Sequence, residues 1–141
     1  MITLDLESAR KVLAAQPFSV LVGARVAVFE PGRAVLALDV REDLKQQNGF
    51  VHGGVLAYAA DNAITFAAGT RLGPEVLTSG VTISYMRPAS GAALEAEATV
   101  TYVGRRQAVC RCDLIAVSED GVRTLCAVAQ GSVLAVGGTA G

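Results

Sequence analysis

The chain has 141 residues, of which 52% are hydrophobic and 18% charged, and its formal net charge is −1. This length predicts one domain, and the composition predicts a packed core rather than a disordered chain. The small net charge and the lack of a strongly basic segment exclude a nucleic acid as partner, because binding to phosphates needs a concentrated positive surface.

The N-terminal third of the chain predicts a helix, a hairpin and a loop. Residues 4–15 have an amphipathic helical pattern, and Pro17 is expected to stop that helix. Segments 24–30 and 33–40 alternate apolar and polar residues on either side of a Pro-Gly turn signal, which predicts a β-hairpin. Residues 41–51 are polar and are predicted to form a loop.

The remaining chain predicts one long helix and a series of strands. Residues 53–69 have helical length and are apolar on every side, which is typical of a buried helix. Strand-like runs separated by turn signals occupy residues 76–86, 94–103, 107–117 and 122–136. We therefore predict an α+β fold, in which a curved antiparallel sheet of roughly six strands wraps around one long buried helix and a second subunit pairs the open sheet edges.

The predicted domain spans residues 1–136, and residues 137–141 are predicted to form a flexible tail. No secretory signal is expected, because the first residues are acidic and lack a long apolar stretch. The most apolar segment carries Asp61 and Asn62 at its centre, whereas a membrane helix needs roughly 20 apolar residues. We therefore expect a cytoplasmic protein that makes no contact with a membrane.

The cysteines are predicted to be packing residues. An odd number of them in a chain without a secretory signal indicates reduced thiols. Cys110 and Cys112 fall on the same face of a predicted strand, where a thiol packs like a small hydrophobic group. A metal site would need more ligands than these and His52, the single histidine, provide. We expect no metal and no cofactor.

Asp61 is the most informative residue, because it lies in the middle of an otherwise apolar helix. An ionised carboxylate buried there costs several kcal/mol unless another group compensates it. One interpretation is a catalytic carboxylate, and the other is a side chain that faces solvent or an internal hydrogen bond. Thr65 shares the helix face of Asp61 and either holds the carboxylate or a water, or bonds back to its own helix.

The His52-Gly53-Gly54 segment lies where the polar loop becomes the long helix. A helix N-terminus presents unpaired N–H groups that suit a developing oxyanion, although a glycine-based turn explains the same residues. His52 lies roughly 13 Å from Asp61 along a helix axis, so we predict an orienting residue at the helix entry rather than a His–Asp pair. Gln46 and Asn48 are loop amides that either bind a carbonyl or a water, or serve as turn residues.

The sequence resembles the PaaI-type hotdog thioesterase family. The resemblance rests on the segment QQNGFVHGGVL at residues 46–56, followed by ADNA at residues 60–63. The later segments SYMRP at residues 84–88 and VGRR at residues 103–106 also match. The order and spacing of these segments carry the resemblance over nearly the whole chain.

The resemblance implies a hotdog fold that assembles as a homodimer or homotetramer, with the active site at the subunit interface. It implies hydrolysis of an acyl-CoA to free acid and CoA. The N–H of Gly53 would polarise the thioester carbonyl, and Asp61 of the opposite subunit would attack that carbonyl or activate water. The family usually has Asn at the position of Gln46, so the active-site amide is either Gln46 or Asn48.

The resemblance also assigns roles to a wider set of residues. Those expected to take part in catalysis are Asp61, Gly53, Gln46, Thr65 and His52. Those expected to bind substrate are Asn48, Gly54, Thr78, Arg87, Arg105 and Arg106, the arginines through the nucleotide part of CoA. From charge alone, the arginines are equally well explained as surface residues.

Two alternatives to the thioesterase remain in the same fold. A non-catalytic module that binds acyl-CoA would not need an acidic residue on the helix. A dehydratase or hydratase would need a catalytic histidine paired with an acid, whereas the one histidine here directly precedes Gly53. The acyl group is expected to be medium-chain or aromatic, with pocket walls that include Phe50, Tyr58, Phe66 and Tyr85.

Overall fold

The computed structural model describes residues 4–137, in which helices and strands follow one another in a mixed order. The elements are α1 (Leu6–Ala14), α2 (Pro17–Val22), β1 (Arg25–Glu30), β2 (Arg33–Asp39), a 3₁₀ helix (Glu42–Leu44), α3 (Gly53–Leu72), β3 (Val76–Tyr85), β4 (Ala93–Val103), β5 (Gln107–Val117) and β6 (Arg123–Ala135). The predicted hairpin, long helix and later strands are confirmed within a few residues. Of the predicted tail, residues 138–141 lie outside the described residues.

The six strands form one antiparallel sheet in the order β1-β2-β4-β5-β6-β3. The sheet curls so that α3 lies against all of its strands. Alanines on α3 let the sheet backbone come close, and the inner faces of β4 and β5 supply Leu94, Ala96, Cys110 and Leu114 to the core. The predicted α+β arrangement, a curved sheet around one long helix, is confirmed.

α3 is the predicted buried helix, but in the single chain it is not covered on every side. One face of the helix is buried, but His52, Gly54, Asp61 and Arg71 are exposed in the single chain. The helix also runs three residues beyond the predicted end, to Leu72, where Gly73 takes a positive φ of 95° and stops it. The exposed positions lie on the side of α3 that the sheet does not cover.

The N-terminal region contains two helices, not one. Pro17 does not simply stop the first helix; it is the first residue of α2. Proline is favoured at this position because its fixed φ suits the first helical turn, where its missing N–H would be unpaired anyway. Arg41 then closes the end of α2 by donating to the carbonyl oxygens of Leu21 (2.9 Å) and Val22 (2.8 Å).

The two edges of the sheet differ in what they leave open. β1 and β3 are the outermost strands, and β3 is hydrogen-bonded to β6 alone. Residues 76–85, which form β3, include no charged side chain and no proline, so this edge lacks the usual protection against pairing with another strand. None of the helices within residues 4–137 is long and apolar enough to cross a membrane.

The cysteines are buried and free, and Cys110 and Cys112 share the inner face of β5 as predicted. Burial raises the pKa of Cys110 to about 11. Burial, together with the nearby charge of Asp113, raises the pKa of Cys112 to about 12. Because the thiolate is the reactive form, both thiols are inert near neutral pH in the folded chain.

Native protein at pH 8 should therefore react very slowly with an aromatic disulfide reagent that releases a coloured thiolate. The same reagent should label all three thiols within minutes once guanidinium chloride has unfolded the chain. The measurement is absorbance against time with and without denaturant. Rapid labelling of two or more thiols in the native protein would contradict the packing of β5 described above.

Candidate functional site

The N-terminus of α3 presents one free backbone donor. His52 is the N-cap, and its Nδ1 accepts from the N–H of Gly54 at 2.8 Å. The carbonyl oxygen of His52 accepts from the N–H of Val55 at 2.9 Å. Among residues 4–137, no group accepts from the N–H of Gly53. His52 thus lies at the helix entry as predicted, and Gly53 is left to bind a ligand.

The loop before α3 is fixed by two further contacts. The N–H of His52 donates to the carbonyl oxygen of Leu44, and the N–H of Val51 donates to that of Ala89, both at 2.9 Å. A side chain at position 54 would meet the His52 ring at 3.0 Å, which explains a glycine there. These contacts hold the helix entry rigidly, as a preorganised oxyanion site requires.

A depression of about 430 Å³ opens in front of Gly53. Both candidate amides, Gln46 and Asn48, line it together with Tyr85 and Arg87. The Oε1 atom of Gln46 accepts from the backbone N–H of Asn48, which leaves the Nε2 atom of Gln46 for a ligand. Tyr85 donates from its hydroxyl to the carbonyl oxygen of Gly53 at 3.1 Å. The structure therefore brings Gln46, Asn48, Gly53 and Arg87 together.

Asp61 is held from the edge strand. The hydroxyl of Thr78 donates to Oδ1 of Asp61 at 2.7 Å. Thr65 Oγ1 lies 2.8 Å from the carbonyl oxygen of Asp61, which is the bond back to its own helix, and it reaches the carboxylate only through Thr78 Oγ1, 2.7 Å away. Thr65 and Thr78 each have one hydroxyl hydrogen, so only two of these three contacts are hydrogen bonds at any one time. A relay in which Thr65 donates to Thr78 and Thr78 donates to the carboxylate uses both hydrogens to orient Asp61.

A β-bulge places Thr78 in this relay. The pairing of β3 with β6 shifts between Thr78 and Gly80, so the extra residue, Ser79, has no partner. Strict alternation would put Thr78 and Tyr85 on opposite faces of the sheet, since they are an odd number of residues apart. With the bulge both side chains reach α3, Thr78 at Asp61 and Tyr85 at Gly53.

A polar cluster beside Asp61 was not expected from the sequence. Ser19, only 1% exposed, donates to Oε1 of Gln16 at 2.6 Å and is hydrogen-bonded to the hydroxyl of Tyr58. Asn62 donates from Nδ2 to the same Oε1 at 2.9 Å. These groups line a depression of about 290 Å³ next to the carboxylate. The sequence signal for this cluster was Pro17, because a proline also marks the start of a helix and α2, which begins there, carries Ser19.

The two halves of the site are far apart in one chain. Gly53 and Asp61 line different depressions, and eight residues of α3 separate them by about 12 Å. On β3, Thr78 and Tyr85 are separated by about 23 Å along the strand. A single substrate carbonyl cannot touch Gly53 and Asp61 of the same copy.

The arginines also fall into two groups. Arg87 lies with Gly53, at the end of β3. Arg105 and Arg106 lie in the turn between β4 and β5, at the opposite end of the sheet, where Nη2 of Arg106 donates to the carbonyl oxygen of Ala135 at 2.9 Å. Both side chains are exposed, and Arg106 also has this contact with the backbone. One chain does not assemble the three arginines into one surface.

A metal is not needed to explain the arrangement of these groups. Over residues 4–137, no three His, Cys, Asp or Glu side chains are grouped closely enough to hold a metal ion. The chemistry on offer consists of a backbone N–H at the positive end of a helix, a carboxylate oriented by hydroxyls, and side-chain amides. This set suits stabilisation of an oxyanion together with nucleophilic or general-base attack.

Comparisons with known proteins identify the family of the chain. The family model described as the thioesterase superfamily matches residues 48–122, more than half of the chain, and this stretch includes both Gly53 and Asp61. A curated relative, the 1,4-dihydroxy-2-naphthoyl-CoA hydrolase of Listeria monocytogenes, is 28% identical over 107 residues, which are 74% of this chain and 85% of the relative.

Solved structures show the same fold. A thioesterase family protein from Silicibacter pomeroyi has a TM-score of 0.85 and 30% identity, over 90% of this chain and 94% of its own. A mutant of the phenylacetic acid degradation protein PaaI from Thermus thermophilus has a TM-score of 0.74 and 37% identity, over 86% of this chain and 100% of its own. The chain belongs to the thioesterase superfamily, with the hotdog fold of its PaaI-type members, and is a thioester hydrolase.

Proposed function

We propose that this protein hydrolyses an acyl-CoA to free acid and CoA at a site built by two copies of the chain. One copy supplies Asp61 and the other supplies the free N–H of Gly53. The observation that carries the proposal is the position of these two groups. Each is bonded to β3, the unprotected edge strand, but at opposite ends of it.

Antiparallel pairing of two β3 strands would bring the halves together. If the two-fold axis passes through Thr82, the partner's Tyr85 lies opposite the bulge formed by Thr78 and Ser79. The partner's Gly53, which is bonded to that tyrosine, then approaches Asp61. The pairing also covers the open edge of the sheet, which removes the risk of uncontrolled association. The homodimer is the smallest unit that completes a site, and association of two such dimers gives the predicted homotetramer.

The proposed mechanism follows from the charges. The N–H of Gly53, at the positive end of the α3 dipole, polarises the thioester carbonyl and stabilises the oxyanion that forms. Asp61 either attacks the carbonyl carbon or takes a proton from an attacking water. The bond from Thr78 holds the other carboxylate oxygen of Asp61, Oδ1, away from the substrate. A thiolate leaves easily, so no strong general acid is required. The side-chain amide of Gln46 or Asn48 is available to the carbonyl or the water.

The CoA moiety is assigned to the arginines. In the paired arrangement, two groups of arginines lie at the same end of the β3–β3 pair. They are Arg87 of the subunit that supplies Gly53, and Arg105 and Arg106 of the subunit that supplies Asp61. Guanidinium groups bind phosphate oxygens through paired hydrogen bonds, and the diphosphate of CoA carries several such oxygens. The name of the Listeria relative, a CoA ester hydrolase, supports a CoA thioester as substrate.

Asp61→Asn should lower kcat by about a hundredfold or more, because the amide neither attacks a carbonyl nor accepts a proton. Thiol release from a panel of acyl-CoAs measures the change. The matched control is Asp39→Asn, an exposed carboxylate at the end of β2 that pairs with Arg25. Full activity in Asp61→Asn would exclude the assigned role. Binding of acyl-CoA without hydrolysis by the natural chain would instead favour the non-catalytic module.

Gly53→Pro should remove the oxyanion donor without breaking the helix. Position 53 is the first of α3, where proline is favoured, and His52 has a ψ of 135°, which is compatible with a following proline. We expect kcat to fall by about 10²–10³-fold, as for the loss of other oxyanion donors. Gly53→Ala keeps the N–H and is the control; its added Cβ would lie 3.5 Å from the Tyr85 ring, an ordinary contact. Equal kcat values for the two variants would show that the N–H is not used.

A further inference from the structure

A cavity of about 220 Å³ lies between α1, α3 and the start of β3. Its walls are mainly apolar, with Val12 from α1, Phe66 from α3 and Val76 from β3. Thr65, which belongs to the hydroxyl relay at Asp61, lies at one side of it. The cavity therefore adjoins the pair of hydroxyl groups that contacts Asp61.

Helical spacing connects the cavity to the carboxylate. Asp61, Thr65 and Gly69 follow one another at intervals of four residues and so share one face of α3. Thr65 and Gly69 both line the cavity. A Cβ atom added at Gly69 would meet no atom within 4 Å, although the residue itself is buried. Position 69 therefore faces open space inside the protein rather than packed side chains.

We propose that this cavity holds the acyl chain of the substrate and selects unbranched medium-chain groups of about eight carbons. The proposal rests on the function proposed above. A cavity of 220 Å³ holds about seven units of the volume of a water molecule, roughly 30 Å³ each, and a methylene group is of similar size. Those seven units and the carbonyl carbon make an octanoyl group.

An octanoyl group also fits the length of the cavity. Gly69 lies about 12 Å beyond Asp61 along the helix. An extended hydrocarbon advances about 1.25 Å per bond, from a bond length near 1.5 Å at a tetrahedral angle. The seven C–C bonds of an octanoyl group advance about 9 Å, so its terminal methyl group ends about 3 Å short of the level of Gly69. A volume of about 220 Å³ spread over this length favours a straight chain over a fused ring.

The other depressions suit an alkyl chain less well. The one beside Asp61 on the α2 side is lined by the side chains of Gln16, Tyr58 and Asn62, and an alkyl group would leave their polar atoms without water. A depression of about 510 Å³, lined by Thr82, Arg111 and Gln130, lies on the outer face of the sheet, away from Asp61. The cavity at Gly69 combines mainly apolar walls with a lining residue, Thr65, that contacts Asp61.

Variants that fill or enlarge the cavity test the proposal. Gly69→Leu should shorten the cavity and lower the ratio of kcat/KM for octanoyl-CoA to that for butanoyl-CoA by about tenfold or more, since each excluded methylene reduces the binding of the transition state. Gly69→Ala is the matched control, because it removes the glycine but fills little of the space and favours the helix. Val12→Ala, at a position 48% exposed, should move the preference toward decanoyl-CoA.

The experiment measures kcat/KM with straight-chain CoA esters of four to twelve carbons and with phenylacetyl-CoA, on variants checked by thermal melting. A chain-length profile that Gly69→Leu leaves unchanged, in a variant that melts like the natural protein, would overturn the proposal. A preference for phenylacetyl-CoA that is insensitive to position 69 would also overturn it.

Calorimetric titration separates this proposal from the proposed function. If the natural protein hydrolyses no CoA ester, the thioesterase assignment to acyl-CoA fails. The cavity is then tested by the binding of octanoyl-CoA against butanoyl-CoA. A ratio of affinities that favours octanoyl-CoA and falls about tenfold in Gly69→Leu supports the cavity, and an equal ratio in both proteins contradicts it.

Discussion

The rise of an α-helix keeps Gly53 and Asp61 about 12 Å apart, and the rest of the site depends on this fixed distance. The oxyanion donor must be at a helix N-terminus, because only there does the backbone present a free N–H at the positive end of the dipole. The carboxylate lies in the third turn, where α3 is wrapped by the sheet on one side and open on the other. In the proposed mechanism the thioester carbonyl contacts both groups, and because it is small this needs a second copy of the chain.

β3 is the element that makes such an arrangement possible. It orients both halves, through Thr78 at Asp61 and through Tyr85 at Gly53, and it also forms the unprotected edge of the sheet. Strand pairing fixes both the relative direction of two strands and their register, which changes only in whole residues. A β3–β3 pair would therefore fix the distance between Asp61 and the partner's Gly53 more firmly than a contact between loops. Under this account, the ten residues of β3 both pair the two subunits and orient the catalytic groups of α3.

Much of the architecture was predictable from the sequence. The period of apolar residues located α3 and all of the strands, and the isolated carboxylate of Asp61 and the His-Gly-Gly segment marked the two halves of the site. The bulge at Ser79 was not predictable, because a bulge leaves the apolar pattern of β3 almost unchanged while it moves Thr78 to the other face. The exposure of Asp61 was one of the two interpretations, and the sequence could not decide between them because apolar residues surround α3 on every side.

The measurement that tests the shared site most directly mixes two inactive variants. Asp61→Asn and Gly53→Pro chains are unfolded together in equal amounts, refolded and assayed for thiol release from an acyl-CoA. If each site uses Asp61 of one subunit and the partner's Gly53, half of the dimers are mixed and each has one intact site, so about a quarter of the natural activity returns. If both groups act within one chain, the mixture stays as inactive as either variant alone, and the account is contradicted.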